Sequence, residues 1–205
     1  CAAAPHRGSF YAVKRALGET PAVLCGDIGC YTLGNAMPLD AVDTCLCMGA
    51  GITMAQLAVA EPHKKTLAFV GDSTFFASGA CLVNAVYNGH DITVCVLDNA
   101  TTAMTGSQPH PAPASRSWGR SASPFHPARV GAVGFDCIVH ANPLDLDASV
   151  AAVREALDHE GPSAVLFESP CIQLVKPDAP AVVDAETCTG CKKCITEIGC
   201  PGIGF

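Results

Sequence analysis

Short apolar runs rich in β-branched and aromatic residues recur along the chain as far as Ser169. They fall at Ala22–Leu24, Thr66–Val70, Ile92–Leu97, Phe135–Val139 and Ala164–Phe167. Runs of this length and composition predict strands buried on both faces. Between them lie stretches with helical spacing: Ile52–Val59, Gly79–Tyr87 and Ala148–His159. The last has Asp147 or a neighbour as its N-cap, and Gly161 lies just past its end. Strand and helix in alternation predict an α/β fold, a doubly wound and mainly parallel sheet, over residues 1–175.

The pattern breaks twice. From Ala100 to Arg129 the chain is rich in Pro, Ser, Ala and His and holds the single tryptophan, Trp118. A loop this long inside a domain is usually functional or disordered. Thr101–Pro111 is read as functional and the remainder as a surface excursion. The second break, residues 176–187, carries Pro177 and Pro180 and is read as a linker to a small cysteine-bearing segment at 188–205. No internal repeat is evident.

Composition narrows the function classes. Hydrophobic residues make up 49% and charged residues 15%, which excludes a disordered chain. The formal charge of -7 makes nucleic acid a poor partner. Ala41–Ala60 contains Asp43 and Gln56 and is interrupted by glycine, so a buried loop and helix explain it better than a membrane span. The 13 cysteines follow no secretory leader, which favours a reducing, cytoplasmic compartment and metal-ligating thiols over a disulfide framework. The first residue is not Met, and the chain is expected to be a fragment of a longer polypeptide.

In a doubly wound sheet, ligands bind outside the carboxyl ends of the strands. The segments after the strands are Gly26-Asp27-Ile28-Gly29-Cys30, Gly71-Asp72-Ser73-Thr74, Asp98-Asn99-Ala100-Thr101 and Ser169-Pro170-Cys171. Asp72 and Asn99 are separated by one helix and one strand, which predicts neighbouring strand ends. A carboxylate and an amide oxygen there suit Mg²⁺, leaving coordination positions for diphosphate oxygens. Ser73 and Thr74 open towards a helix whose first amides can hold that diphosphate. The plainer alternative is that Asp72 caps a helix and Asn99 turns a loop. No Gly-x4-Gly-Lys phosphate loop or Gly-x-Ser-x-Gly elbow occurs, and Gly49-Ala50-Gly51-Ile52-Thr53-Met54 lacks the third glycine of a dinucleotide fingerprint.

The closing cysteines run Cys188-x2-Cys191-x2-Cys194-x5-Cys200-Pro201. Such tight spacing with a Cys-Pro ending suits a ferredoxin-type 4Fe-4S cluster. Zinc is the alternative, although zinc ribbons usually pair two knuckles across a longer gap. The ligand set of Cys200 stays open, because the last cysteine of such a run can serve a second cluster. Cys25, Cys45, Cys47, Cys81, Cys95 and Cys137 lie in apolar runs and are read as core residues.

Gly71-Asp72…Asp98-Asn99 resembles the thiamine diphosphate motif. Thr101–Gln108 is similar to the segment that follows that motif in 2-oxoacid:ferredoxin oxidoreductases. Pro5-His6-Arg7, Gly26–Gly34, Ala103–Pro111 and Cys188–Pro201 narrow the resemblance to the α subunits of the indolepyruvate ferredoxin oxidoreductases. It covers the whole chain except the loop near Ser115–His126. It implies thiamine diphosphate surrounded by Gly29, Cys30, Met48, Gly71, Asp72, Ser73, Thr74, Asn99, Thr101, Met104 and Thr105. Asp72, Asn99 and the carbonyl of Thr101 would hold Mg²⁺. His6 and His110 would face substrate or cofactor, with ordinary loop histidines as the alternative; Met48 could equally be core. Cys1, Cys30 and Cys171 match positions that hold a cluster near the thiamine in related enzymes. The fourth such position is Ala4, which cannot ligate iron, so no cluster is expected there, with a labile three-cysteine cluster completed by an exogenous ligand as the alternative.

The reaction so implied is oxidative decarboxylation of aryl 2-oxoacids with coenzyme A, passing electrons through iron–sulfur clusters to ferredoxin. Expected partners are ferredoxin, a smaller subunit and an N-terminal thiamine-binding domain that supplies the acid activating the cofactor. A non-redox thiamine decarboxylase or synthase would leave the closing cysteines without a task. An electron-transfer module without catalysis would leave the Asp72/Asn99 pair without one.

Overall fold

A computed structural model describes residues 4–61, 63–111, 128–175, 179 and 182–203. Cys1, the excursion around Trp118 and several residues of the linker, Lys176 to Asp178, Pro180 and Ala181, lie outside the described residues.

All five apolar runs become strands: β1 (Ala22–Cys25), β2 (Lys65–Gly71), β3 (Thr93–Asp98), β4 (Cys137–Ala141) and β5 (Ser163–Glu168). They form one sheet in the order β1-β2-β3-β5-β4, and every neighbouring pair is parallel. β3 is central and buried along its whole length, which explains its unbroken apolar run. β4 starts two residues later than expected, because Phe135 leaves the strand to fill the core beneath it.

The helices are α1 (Arg7–Leu17), α2 (Ala50–Ala58), α3 (Asp72–Ser78), α4 (Cys81–Tyr87), α5 (Ala128–Gly131), α6 (Leu146–Asp158) and α7 (Lys193–Thr196). A 3-10 turn spans Cys30–Asn35. One core cluster joins α1 and α6 to one face of the sheet, through Phe10, Val13, Leu17, Val153 and Leu157 against Leu67, Phe69 and Val165. The other joins α2, α3 and α4 to the opposite face, through Ile52, Phe75 and Leu82 against Val70, Val94 and Leu166. The sheet is therefore doubly wound, as the alternation predicts. None of the described helices is long and apolar enough to cross a membrane.

Three local features differ from the expectation. Helix α1 is additional; Phe10, Val13 and Leu17 form its buried stripe at helical spacing, while Lys14 and Arg15 occupy its last turn. The helix expected at Gly79–Tyr87 is α4, and α3 precedes it as an additional helix that begins directly at the end of β2. The N-cap of α6 is Asp145, whose Oδ1 accepts the Ala148 amide at 3.1 Å, while Asp147 lies in the first turn.

The apolar cysteines divide. Cys25 and Cys95 are buried as expected, and burial pushes the Cys95 thiol up to about 12. Cys45 and Cys81 are half-buried and pack against the edges of the two core clusters, Cys137 is half-buried, and Cys47 is exposed and is not a core residue. Cys47 lies in irregular chain before α2, which leaves it exposed.

Candidate active site

The parallel register places Gly71 opposite Leu97, so the chain leaves β2 at Asp72 beside the point where β3 ends at Asp98. Asp72 is buried. Its Oδ1 accepts the Ser73 amide at 2.8 Å, and its Oδ2 accepts the Ala100 amide at 2.9 Å. Ala100 has a left-handed backbone, φ +63°, which turns its N–H towards two carboxylates at once. The second is Asp98, whose Oδ1 also lies 2.9 Å from that amide. Burial, and then the hydrogen bond to Asp72, push the Asp98 carboxyl up to about 7. Two carboxyls this close do not both ionise easily, and burial beside Asp72 favours the protonated form of Asp98.

Asn99 and Thr101 are each 5% exposed. The Asn99 side-chain oxygen accepts the Thr101 amide at 3.2 Å, and its backbone carbonyl accepts the Cys171 amide at 2.9 Å. The end of β5 is thereby tied to the end of β3. Gly71 lets Tyr31 lie against the strand end: a Cβ there would stand 2.5 Å from the Tyr31 ring. The Tyr31 hydroxyl donates to the Leu97 carbonyl at 2.6 Å, and burial raises its pKa well above the usual phenol value.

One cavity opens over this edge. Gly29, Cys30, Met48, Gly71, Asp72, Ser73, Thr74, Asn99, Thr101, Met104 and Thr105 all line it. Four separate loops thus deliver the residues expected there to one place. Met48 and Met104 are 46% and 53% exposed, so they form the cavity's rim and Met48 is not core.

Residues 27–167 match the family model described as thiamine pyrophosphate enzyme, C-terminal TPP binding domain. The chain belongs to the thiamine pyrophosphate enzymes. It is 37% identical over 214 residues to the indolepyruvate oxidoreductase subunit IorA of Archaeoglobus fulgidus, covering 100% of this chain and 34% of that one. The subunits of the same name from Methanothermobacter marburgensis and Pyrococcus horikoshii are 36% and 37% identical over 99% of this chain and 34% and 35% of theirs. The chain thus spans about a third of the length of the curated relatives it matches. In fold it is similar to a 2-oxoglutarate:ferredoxin oxidoreductase from Magnetococcus marinus, with a TM-score of 0.70 and 22% identity over 83% of this chain and 63% of that one.

The residues present fit the thiamine pyrophosphate of this family. A desolvated carboxylate and an amide oxygen flank the cavity at adjacent strand ends, the donor set that a magnesium diphosphate requires. The Ser73 amide, expected to hold diphosphate, is instead turned onto Asp72. The buried Thr74 side chain lies near Asp27, whose pKa it lowers against the effect of burial. Ser73 and Thr74 therefore build the cavity wall through the carboxylates they hold.

The two histidines are held differently. The His110 Nε2 lies 3.0 Å from Asp72 Oδ2, and both side chains are almost wholly buried. His6 is buried with both nitrogens engaged: Nε2 lies 3.0 Å from the Asp98 carbonyl and Nδ1 lies 3.1 Å from the Ser9 hydroxyl. A carbonyl can only accept, so Nε2 carries the proton and Nδ1 accepts from Ser9. Burial pushes the His6 pKa down to about 4, which keeps the ring neutral.

Cys30 and Cys171 line a second, apolar cavity together with Ala4, His6 and Asn99, and their mutual proximity adds to the burial that raises the Cys30 thiol. Cys188 and Cys191 are exposed, whereas Cys194 and Cys200 are half-buried. The Lys193 amide, followed by the Thr189 hydroxyl, lowers the Cys191 pKa and favours its thiolate. The Cys200 amide donates to the Cys194 carbonyl at 2.9 Å, closing a loop between them. Among the described residues no three His, Cys, Asp or Glu side chains are already gathered as a metal site.

Sequence reasoning missed Asp27 and Asp98 as functional-site carboxylates and Tyr31 as the residue packed on Gly71. Asp27 is wholly buried; its Oδ1 accepts the Gly49 amide at 2.6 Å, and burial raises its pKa against the pull of Thr74 and Gly49. A signal was present: Gly26-Asp27 after β1 repeats Gly71-Asp72 after the adjacent β2.

Proposed function

We propose that this chain is the thiamine diphosphate-binding part of an oxidoreductase that decarboxylates aryl 2-oxoacids, indolepyruvate among them. In the overall reaction a 2-oxoacid anion and coenzyme A thiol give an acyl-CoA, CO₂, one proton and two electrons. Cys188, Cys191, Cys194 and Cys200 would hold a 4Fe-4S cluster, which would supply one-electron transfer, and two ferredoxins would accept the two electrons. A smaller subunit and an N-terminal thiamine-binding domain complete the enzyme, which works in the cytoplasm.

When bound, thiamine diphosphate supplies the nucleophilic carbon and the electron sink that decarboxylation requires. Asp72, Asn99 and the carbonyl of Thr101 would hold Mg²⁺, which would anchor the diphosphate. Asp98, which shares the Ala100 amide with Asp72, and His110, at 3.0 Å from its Oδ2, hold the Asp72 carboxylate in place from either side. His6 fixes the turn that carries Asn99 by donating to the Asp98 carbonyl. In this reading both histidines act on the groups that hold the cofactor. No cluster forms at Cys30 and Cys171, because Ala4 provides no thiolate.

The observation that carries the redox reading is the seat of the cysteine segment. It rests on α1 through Arg7 and Tyr11, the helix whose N-cap, His6, touches the strand edge. A non-redox decarboxylase has no use for that juxtaposition. The whole-chain identity to the IorA subunits supports the choice of an aryl substrate.

The test is a viologen-reduction assay on the reconstituted full-length complex. Indolepyruvate is expected to reduce viologen faster than pyruvate, with iron and acid-labile sulfide present in the protein. The reverse order of substrates, or one zinc per chain without sulfide, overturns the reading.

A further inference from the structure

Helix α7 has only four residues, none of them buried, so the cysteine segment gains little from its own packing. What holds it is α1. The Arg7 Nη2 donates to the Gly199 carbonyl at 2.8 Å and to the carbonyl of Ile198. One turn later the Tyr11 hydroxyl donates to the Glu197 carboxylate, whose outer oxygen faces Lys193 at 3.7 Å. Gly199 is left-handed, φ +62°, and a Cβ on it would stand 2.3 Å from Pro38 Cδ and 3.1 Å from Arg7 Nη2. The left-handed backbone and the contact with Pro38 call for glycine here, and they bring the chain against the guanidinium. Cys200 is the next residue, and its amide is bonded to the Cys194 carbonyl.

Arg7 thus sits one peptide from Cys200, and it also lines the apolar cavity beside His6, Cys30 and Asn99. We propose that Arg7 is a positioning residue for the cluster at Cys188–Cys200, fixing the loop by its two carbonyl contacts and raising the cluster's reduction potential by its charge. The inference rests on the redox reading above. Reduction adds one negative charge to the cluster, and a cation fixed one peptide away stabilises the reduced state more than the oxidised one. The planar guanidinium presents several donors in a fixed fork and can engage two carbonyls together, which a lysine ammonium does less well.

The experiment is a potentiometric titration followed by paramagnetic resonance, on anaerobically prepared full-length protein, for wild type, Arg7→Met and Arg7→Lys. Iron and sulfide are counted first. Arg7→Met is expected to keep wild-type iron and to show a reduced-to-oxidised ratio about tenfold lower at the wild-type midpoint, about 59 mV for a one-electron couple. Arg7→Lys is expected to recover most of that shift, which a purely steric role for Arg7 would not produce. Full iron in Arg7→Met with an unmoved midpoint overturns the inference and leaves the redox reading standing. If Arg7→Met loses its iron, Arg7→Lys decides: a wild-type iron count with a midpoint near wild type supports the role of charge, and loss of iron there too overturns it. Wild-type protein free of iron and sulfide overturns the redox reading and the inference together.

Discussion

At the carboxyl edge of the sheet, Asp72, Asn99 and Thr101 are each between 1% and 5% exposed, and their polar atoms are held by backbone amides or by His110. In the cysteine segment, by contrast, Cys188 and Cys191 are exposed, α7 buries nothing, and attachment comes from a few side chains of α1. Desolvating carboxylates is costly, and here the burial of five strands and their helices offsets that cost before any cofactor arrives. The edge is therefore preorganised. The cysteine segment lacks such support, and in the redox reading its order would come from the cluster it holds.

The largest expected effect strikes one region only. Leu67→Ala, at a fully buried position of β2, should cost about 2–5 kcal/mol of stability. Ile195→Ala in the half-buried cysteine segment should change it by no more than about 0.5 kcal/mol. Denaturant midpoints measure both, and equal costs would erase the contrast.

Next comes cofactor affinity. Asp72→Ala should weaken thiamine diphosphate binding about 100-fold or more, roughly 2.7 kcal/mol, and remove its dependence on Mg²⁺. Titration calorimetry of the intact protein with and without the metal reads the effect. Unchanged affinity would remove Asp72 from the site.

A pH dependence should follow from His6, whose pKa falls from 6.5 to about 4 on folding. The unfolded chain takes up the proton first, so stability is full above pH 6.5 and declines as pH falls towards 4. At about 1.36 kcal/mol per pKa unit the loss reaches about 3 kcal/mol at most. Asp98 works in the opposite sense, since its folded pKa is raised from 3.8 to about 7 and its contribution declines as pH rises through that window. The difference between wild type and His6→Gln isolates the histidine: the variant's stability should fall less steeply from pH 6.5 to 4.

The smallest expected effect is local. Removing metal from the full-length protein should speed tryptic cutting at Lys192 and Lys193 several-fold and leave the sheet intact. Mass spectrometry of the fragments follows it, and cutting at the same rate with and without metal would count against metal-dependent order.

Much of this edge was legible in the chain. The strands announced themselves because burial on both faces demands an apolar residue at every position, as at β3. Gly71-Asp72 and Asp98-Asn99 stood out because polar residues directly after such runs have few other uses. Helix α1 was less visible: its apolar stripe of Phe10, Val13 and Leu17 is narrow and set among basic residues. The exposure of Cys47 was hidden as well, because an apolar run reads alike in a core strand and in an irregular segment near a cavity rim.

Element type, strand direction and the residues at strand ends are consequences of local composition, since burial and periodicity act over a few neighbouring residues. The partners of those residues depend on packing. Asp98 shares the Ala100 amide with Asp72 only because β2 and β3 are adjacent and parallel. Tyr31 crosses to the carbonyl of Leu97, 66 positions away, because Gly71 leaves room for its ring. Arg7 meets Gly199 across 192 positions, and no pattern within either segment specifies the other. Such contacts are selected by the shape of the assembled surface and by the need to satisfy buried polar groups, conditions that exist only once the chain has folded.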